Sequence, residues 1–304
     1  MSIDFIKLHG LGNDFVVIDG MKGNVDVDPA QVRALCDRHF GIGADGVIVV
    51  QPPKNSGSAG YMHYINTDGS LAQMCGNGVR CTAKFLVDEG YVDASQGELT
   101  VDTLAGKRPL QFSVDTGKLT EATVNMGEPI FDPELVPVRA PQESVADHAE
   151  SGTSFVRDLK VQTPWCDVTF TCISMGNPHA LWFIDSFEEL PDALFNGEKT
   201  LENMDIDRIG AYLESHEVFS EKSNIEFVEL RDGLLHTRVF ERGVGETLAC
   251  GTGACATGVG GYLTGRVGRE VDVVLPGGML KIEWTEGGAV KMTGPATESY
   301  RGTI

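Results

Sequence analysis

The chain has 304 residues, 41% of them hydrophobic and 22% charged, which is typical of a folded globular protein with about two domains. Its formal net charge is −20, which argues against nucleic-acid and anionic-membrane partners, because both require a basic surface. The first residues contain no basic segment followed by an apolar one, and no run of about 18 apolar residues occurs. We therefore expect a cytoplasmic protein that binds a small molecule, with no nucleic acid and no membrane as partner.

The seven cysteines are an odd number in a large chain, which favours reduced thiols over a disulfide framework. Zinc is disfavoured because the intervals Cys75–Cys81 and Cys250–Cys255 are too wide for a two-residue knuckle, and no histidine cluster accompanies them. No metal is therefore expected. The cysteines expected to pack as small hydrophobes in the core are Cys36, Cys81, Cys166, Cys172 and Cys255.

The first predicted elements are a strand over Asp14–Asp19 and a helix that follows it. The helix has Asp28 as its N-cap and Pro29 as its first residue, and Gly41 is expected just past its end. Val47–Val50 then has the continuous apolar character of a short buried strand.

A second helix is predicted over Asn77–Glu89 and is closed by Gly90. Glycine is frequent in the chain, with 37 residues, which fits many turns and close approaches of the backbone. Such turns separate the three strands predicted next, Leu99–Thr103, Gln111–Val114 and Ala122–Met126.

Two segments of the middle of the chain match no motif. Pro133–Gly152 is polar, rich in proline and aperiodic, so we interpret it as an interdomain connection or a surface excursion. The acidic stretch Glu188–Asp207 is also expected at the surface. The elements predicted around these segments are the strands Val168–Met175 and Ala180–Asp185 and an amphipathic helix over Ile206–His216.

Two hairpins are predicted towards the end of the chain, each with a glycine-containing turn: Ile225–Leu230 with Leu235–Phe240, and Val271–Leu275 with Met279–Trp284. Between them, Thr252–Thr264 consists almost entirely of small or apolar residues. If this segment is helical, it is buried on all sides, and its glycines allow strands to approach closely. A glycine-rich loop is the alternative.

An internal repeat is the most informative feature of the sequence. The pattern Gly-Asn-x-x before a strand occurs at 12–15 and again at 176–179. Downstream of each copy, Cys-Gly-x-Gly occurs at 75–78 and at 250–253, followed in both cases by a second cysteine. Because these features recur in the same order, a duplicated α/β unit is favoured over coincidence among glycine-rich turns.

The duplication predicts two domains, 1–126 and 127–293, with a last strand at 294–304 returning to the first domain. Two such units facing each other would place Cys75 and Cys250 on opposite walls of one cleft. The active site is therefore expected between the domains.

The Cys-Gly-x-Gly motif predicts an anion site with a reactive thiol. If each motif opens a helix, the unpaired backbone N–H groups and the helix dipole attract a carboxylate, and they lower the pKa of the cysteine from about 8.5. Nine positions before each cysteine stands a polar residue, Asn66 or Glu241.

Two facing thiols suit the inversion of an amino acid's α-carbon. A base must remove the α-proton from one face while an acid supplies a proton to the other, and a thiolate and a thiol can exchange these roles. The bound carboxylate receives the charge that develops. No cofactor is implied, although no simple motif excludes pyridoxal phosphate. A disulfide between Cys75 and Cys250 would be an oxidised, inactive form.

Over nearly its full length the sequence resembles the diaminopimelate epimerase family. Proline racemases and hydroxyproline epimerases share the architecture but carry histidine after the first Cys-Gly, where this chain has Asn77. The matching blocks are 9–15 (HGLGNDF), 66–70 (NTDGS), 74–81 (MCGNGVRC), 174–179 (SMGNPH), 224–228 (NIEFV) and 241–253 (ERGVGETLACGTG).

The resemblance implies an α/β (α+β) fold of two pseudo-symmetric domains, each a mostly antiparallel curved sheet or barrel around a central helix. It also implies interconversion of LL- and meso-2,6-diaminopimelate in lysine and peptidoglycan-precursor synthesis, in a cleft that closes on substrate. A racemase for another amino acid such as proline, and a non-catalytic amino-acid-binding protein, are the alternatives. A homodimer is an open alternative to a monomer.

By motif position the resemblance makes Cys75 and Cys250 the acid/base pair, with His179 and Glu241 near the thiols to assist proton transfer. Arg242 suits a distal carboxylate through its bidentate fork, although it could instead form a plain surface ion pair. The residues expected to bind substrate are Asn13, Asn66, Gly76, Asn77, Asn177, Asn224, Glu241, Arg242, Gly251 and Thr252.

Two reservations belong to this assignment. Asn13 and Asn177 adjoin Gly, Asp or Pro, so each could simply form a turn. In many family members a substrate-binding glutamine follows Gly-Ile-Gly-x-Asp, whereas this chain has Gly46 there. That contact is therefore expected to be absent or replaced.

Overall fold

The computed structural model describes residues 2–23, 25–149 and 152–304. The chain forms two compact units, which we call the N-terminal unit (Met1–Asn125 with Thr293–Ile304) and the C-terminal unit (Met126–Met292). Among the residues described, no helix is both long enough and apolar enough to span a membrane.

Within its described residues, the N-terminal unit contains two α-helices and begins with a strand hairpin. A 3₁₀ turn at Ala94–Gln96 separates the second helix from the following strand. The elements up to the end of this stretch are β1 Asp4–Gly10, β2 Asn13–Asp19, α1 Pro29–Cys36, β3 Gly46–Gln51, β4 Gly60–Asn66, α2 Gly76–Asp88, β5 Glu98–Thr103, β6 Gly106–Asp115 and β7 Lys118–Gly127.

The C-terminal unit repeats this mixture of strands and two α-helices. Further 3₁₀ turns lie at Gln142–Ser144, Asp192–Leu194 and Leu201–Asn203. Its strands and α-helices are β8 Val145–Asp147, β9 Ser154–Gln162, β10 Asp167–Ser174, β11 Pro178–Phe183, α3 Ile206–Glu214, β12 Asn224–Arg231, β13 Leu234–Glu241, β14 Gly245–Thr247, α4 Gly251–Leu263, β15 Glu270–Leu275 and β16 Gly278–Trp284. β17 Val290–Pro295 begins in this unit and ends in the N-terminal unit, to which β18 Thr297–Thr303 belongs.

In the N-terminal unit the sheet closes around α2. Two pairs of neighbouring strands are parallel, β2 with β3 and β4 with β5. The other neighbouring pairs are antiparallel: β18 with β1, β1 with β2, β3 with β4, β5 with β6, and β6 with β7. The Ala296 N–H donates to the Thr120 carbonyl at 3.3 Å, and the Thr123 and Thr293 hydroxyls lie 2.7 Å apart. The segment before β18 therefore runs beside β7, which completes a barrel. Within it, α2 is buried from Gly76 to Val87.

The C-terminal unit wraps its strands around α4 in the same way. β9, β10 and β11 are antiparallel, β11 with β12 is parallel, β12 with β13 antiparallel, β13 with β15 parallel, and β15 with β16 antiparallel. A Cβ on Gly260 would lie 2.3 Å from the Leu181 side chain, and one on Gly258 would lie 2.8 Å from Ile282. The glycines of α4 thus let the strands approach its backbone, as the predicted buried helix requires.

The order of pairings is the same in the two units. In order, β1 to β6 correspond to β10, β11, β12, β13, β15 and β16. The parallel pairs lie at the same two places, β2 with β3 and β4 with β5 in one unit, and β11 with β12 and β13 with β15 in the other. The short helices α1 and α3 precede β3 and β12, and the central helices α2 and α4 have 13 residues each. The predicted fold class, with mostly antiparallel sheets curved around central helices, is confirmed.

The end of the first helix was predicted too late. α1 ends at Cys36 and not near Gly41, because Asp37 is extended and its carboxylate accepts the N–H groups of His39 and Phe40. Such side-chain bonds compete with helix continuation. The helix predicted to run to His216 likewise ends at Glu214.

The prediction that the two unmatched segments are surface was wrong in part. In Pro133–Gly152, Val136 and Val138 are buried and Val145–Asp147 is a strand, while residues 150 and 151 lie outside the described residues. Glu188–Asp207 also contributes to the core of the C-terminal unit. Its buried members are Leu194, Leu201, Met204 and Ile206. Isolated apolar residues without a period supply this packing, which is why the pattern did not reveal it.

Candidate active site

Each central helix begins at a cysteine of the repeated motif. Cys75 caps α2 and Cys250 caps α4, both in extended backbone conformation. The Cys75 sulfur accepts the N–H of Gly78 at 3.4 Å, and the Cys250 sulfur accepts the N–H of Gly253 at 3.3 Å. The first two amides of each helix have no acceptor within the helix itself. Both thiols are thus held at the positive end of a helix dipole.

The last glycine of each motif makes room beside the cysteine. A Cβ on Gly78 would lie 3.2 Å from the Met62 sulfur and 3.3 Å from Ile48. A Cβ on Gly253 would lie 2.8 Å from the Glu226 Oε1 atom. The spacing Cys-Gly-x-Gly therefore follows from packing against the first helical turn.

In the N-terminal unit, asparagine side chains lie beside the sulfur; we call Cys75, Asn13 and Asn77 the N-terminal cysteine site. The Cys75 sulfur lies 3.8 Å from Asn13 Oδ1, which also accepts the Asn77 side-chain N–H at 3.0 Å. The other end of the Asn13 amide donates to Asp45 Oδ2 at 2.8 Å. Asp45 therefore fixes the amide so that its oxygen faces Cys75, and Asn13 does more than form a turn.

Asp45, which accepts the Asn13 amide, belongs to a cluster of charged side chains. Arg38 contacts Asp14 and Asp45 at 2.7 Å each, and Lys7 lies 2.6 Å from Asp14. Burial on its own would raise the pKa of Asp14, but the hydrogen bonds from Arg38 and Lys7 outweigh it and lower the pKa to about 2. This cluster anchors the start of β2, where Asn13 lies.

Asn77 is held by a buried arginine of the same helix. Arg80 is fully buried, donates to Asn77 Oδ1 at 2.8 Å, and donates through Nε to the Pro295 carbonyl at 3.1 Å. The Asn77 side chain consequently has a fixed orientation, with its amino group towards Asn13.

Asn66 and Gly46 lie side by side at the ends of β4 and β3. The Asn66 amide donates to the Ser70 hydroxyl at 3.0 Å. A Cβ on Gly46 would lie 2.4 Å from the Tyr64 ring and 2.8 Å from the Ile65 carbonyl oxygen. The tyrosine ring thus fills the space in which a side chain at position 46 would begin, so no glutamine fits there.

In the C-terminal unit, carboxylates accompany the thiol; we call Cys250, Thr252, Glu226 and Glu241 the C-terminal cysteine site. The Cys250 sulfur lies 3.5 Å from the Thr252 hydroxyl. Burial raises the pKa of Cys250 well above its ordinary value, and the charges of Glu241 and Glu226 raise it further. The helix terminus and the hydroxyl oppose this shift without overcoming it. The expectation of a lowered pKa was therefore wrong for Cys250.

Glu226 has no role in the motif-based assignment, yet it connects several predicted residues. It is fully buried, and its Oε1 atom lies 2.6 Å from His179 Nδ1. His179 Nε2 lies 3.2 Å from Asn177 Oδ1. The sequence signal that could have identified Glu226 is a charged residue among the apolar residues Ile225, Phe227 and Val228 of a predicted strand.

The remaining predicted residues lie around the end of β13. The Thr247 hydroxyl donates to Glu241 Oε1 at 2.5 Å. The Asn224 side chain donates to the Pro178 carbonyl at 2.7 Å and accepts the Arg242 backbone N–H at 2.9 Å. Asn224 therefore fixes the backbone at Pro178 and at Arg242 relative to each other. The Arg242 guanidinium is exposed and donates to the Glu221 carbonyl; within the described residues it makes no ion pair. The described residues also contain no group of three His, Cys, Asp or Glu side chains that could hold a metal ion.

Comparison with known proteins agrees with the motifs. The sequence profile of the family described as diaminopimelate epimerase matches residues 5–131 and 171–298. The diaminopimelate epimerase of Methanococcus maripaludis strain C6 is 41% identical over 303 residues, covering 99% of each chain. That of Leptospira biflexa is 40% identical over 313 residues, covering 100% of this chain and 99% of the relative.

Solved structures of lower sequence identity share the fold. A hydroxyproline epimerase from Agrobacterium vitis is similar with a TM-score of 0.66 at 15% identity, over 100% of this chain and 92% of the other. A phenazine biosynthesis protein of the PhzF family from Bacillus anthracis gives 0.65 at 15% identity, over 100% and 99%. On its profile match and its full-length relatives, the chain belongs to the diaminopimelate epimerase family of isomerases.

Proposed function

We propose that this enzyme interconverts LL- and meso-2,6-diaminopimelate by a two-base reaction in which Cys75 and Cys250 act on the same α-carbon. The observation that carries the proposal is the duplicated cysteine cap, one on each central helix, in a chain about 40% identical to diaminopimelate epimerases over its full length. The reaction belongs to lysine and peptidoglycan-precursor synthesis.

The protonation of Cys250 supports a division of labour between the thiols. Since burial and two carboxylates raise its pKa, Cys250 enters the reaction as the proton donor. Cys75 then removes the α-proton as a thiolate, from the opposite face of the carbon. After one turnover the protonation states are exchanged, and the reverse reaction can begin. The S–H bond broken at one sulfur is thus balanced by the S–H bond formed at the other.

The helix starts supply the stabilisation that proton removal needs. Negative charge develops on the reacting carboxylate as the α-proton leaves, and the backbone N–H groups of Gly76, Asn77, Gly251 and Thr252 are the donors that we assign to it. Donors at a helix N-terminus need no reorganisation during the reaction. In this arrangement, groups of the chain itself stabilise the charge that forms when the proton leaves the weakly acidic α-carbon.

The polar side chains around the cysteines provide recognition of the rest of the substrate. Arg242, whose guanidinium makes no ion pair within the described residues, is assigned to the distal carboxylate. Glu241 and the amides of Asn66 and Asn177 are assigned to the ammonium groups and carboxylates. His179 lies beside Asn177, where it assists proton transfer.

The direct test is incubation of the purified, reduced protein with LL-diaminopimelate in D₂O. We expect the meso isomer to form with one deuterium at the inverted carbon, and we expect L-proline to remain unchanged. Inversion of proline without turnover of diaminopimelate would identify a racemase of another specificity. Binding of diaminopimelate without exchange of its α-proton would identify a binding protein, and either result would contradict the proposal.

A further inference from the structure

Glu226 is a buried carboxylate that uses only one of its two oxygens in a hydrogen bond to the described part of the chain. Its side chain lies wholly inside the C-terminal unit, and within the described residues its Oε2 atom has no hydrogen-bond partner. An unsatisfied buried carboxylate oxygen costs folding free energy. The other oxygen, Oε1, lies 2.6 Å from His179 Nδ1.

The carboxylate lies against the start of α4. Oε1 would be 2.8 Å from a Cβ on Gly253, the residue whose N–H donates to the Cys250 sulfur. A side chain at position 253 would overlap the carboxylate, so the position of Glu226 requires glycine there. Glu226 therefore contacts the same helical turn that carries the thiol.

His179 is held at both ring nitrogens by oxygen atoms. Nδ1 faces Glu226, and Nε2 faces Asn177 Oδ1 at 3.2 Å. These two contacts leave the imidazole ring one orientation. The ring orientation of His179 thus depends on Glu226.

The titratable groups around Glu226 come from four neighbouring elements. They are Cys172 on β10, His179 on β11, Glu241 on β13 and Cys250 at the start of α4. Burial raises the pKa of Glu226, an effect that His179 opposes and Glu241 reinforces. The charge of Glu226 in turn raises the pKa of both Cys172 and Cys250.

We propose that Glu226 is a positioning residue of this enzyme, which orients His179 through Nδ1 and, through its contact with the first turn of α4, determines the surroundings of Cys250. The proposal rests on the proposed function in that Cys250 is the acid of the epimerisation. It adds that the identity of this acid is set by a carboxylate on a neighbouring strand. Glu226 itself touches neither the substrate nor the reacting atoms.

The test compares Glu226→Gln with Glu229→Gln, a matched change on the same strand at a residue paired with Arg231. Two readouts need no substrate. The pH midpoint of Cys250 alkylation by iodoacetamide, followed by mass spectrometry of its peptide, is expected to fall by about one unit in Glu226→Gln only. The ¹⁵N signal of His179 Nδ1 is expected to shift, because a neutral glutamine replaces the carboxylate that lies 2.6 Å from this nitrogen.

In turnover, Glu226→Gln is expected to lower kcat about tenfold or more with little change of KM, since substrate contacts remain. Gly253→Ala provides a second perturbation, because its Cβ displaces the carboxylate without removing it, and the same His179 signal should move. The proposal would be overturned if Glu226→Gln changed neither the pH midpoint of Cys250 alkylation nor the ¹⁵N signal of His179. These two results stand apart from the proposed function, which fails if the wild-type protein does not epimerise diaminopimelate.

Discussion

The N-terminal cysteine site has the carboxamide of Asn13 beside its sulfur, whereas the C-terminal cysteine site has the carboxylates of Glu226 and Glu241 near its own. The backbone geometry is nevertheless the same, with each sulfur accepting the third amide of its helix. The helix start therefore defines where a thiol lies, and the neighbouring strands define which charges surround it. Duplication supplied two equivalent positions, and side-chain divergence made them unequal.

Glu241→Gln tests this difference with the largest expected effect, because it removes a carboxylate from the C-terminal cysteine site. We expect kcat/KM to fall about 10²-fold, since both the pKa of Cys250 and a substrate contact change. Initial rates from pH 6 to pH 10 measure this. In the wild type, activity that depends on the Cys250 thiol is lost as the pH rises through its elevated pKa, and in the variant this loss begins at lower pH. Glu270→Gln, at an exposed ion pair with Lys281, is the control. An unchanged profile would show that Glu241 does not influence Cys250.

Asp45→Asn tests the N-terminal cysteine site. The variant removes the anionic acceptor of the Asn13 amide, which is then free to rotate its oxygen away from Cys75. We expect kcat/KM to fall about tenfold, as measured with LL-diaminopimelate. Asp185→Asn, which breaks an exposed pair with Arg266 in the other unit, should have no such effect. Full activity of Asp45→Asn would mean that the Asn13 orientation is unimportant.

Asp14→Asn probes the charge cluster behind the same site through stability. The folded-state pKa of Asp14 is lowered to about 2, so its contribution is present above the unfolded-state pKa and is lost as the pH falls through about 2. We expect the variant to lose about 2 kcal/mol of unfolding free energy at pH 7 and less at pH 3, by urea denaturation. Asp192→Asn, at an exposed pair with Lys199, serves as control. An equal loss at both pH values would contradict the electrostatic explanation.

Gly46→Ala has the smallest expected effect and tests why this chain departs from the family pattern. The new Cβ would overlap the Tyr64 ring, and we expect a loss of about 1–2 kcal/mol in unfolding free energy. Adding Tyr64→Leu should restore part of it, as a double-mutant cycle by thermal denaturation would show. Gly23→Ala, where nothing lies within 4 Å of the new Cβ, is the matched control. If Gly46→Ala behaves like Gly23→Ala, the tyrosine does not explain the glycine.

Local sequence patterns predicted the elements whose signals are local. The cysteine caps, the buried helix rich in glycine and the hairpins near the end of the chain follow from short-range patterns, and the structure contains them. The repeat added the correspondence between the two halves. The early end of α1 escaped prediction because one Asp37 side chain captures two backbone amides.

What could not be predicted depends on contacts between residues far apart in the chain. The elevated pKa of Cys250 arises first from burial and then from the charges of Glu241 and Glu226 on two other strands, and no spacing in the sequence indicates that Glu226 lies there. The filling of the space at Gly46 by Tyr64 likewise requires the register of β3 and β4. The motif identified the thiol, and the packing determined its protonation.

The central claim is that both thiols act on one carbon, and paired serine variants measure it most directly. Cys75→Ser and Cys250→Ser are compared with Cys166→Ser, whose thiol is partly buried against the core of the C-terminal unit. Each of the first two should reduce the rate of LL-to-meso conversion by about 10²–10⁴-fold, and Cys166→Ser should leave it unchanged. Conversion at the wild-type rate by either Cys75→Ser or Cys250→Ser would show that one sulfur suffices.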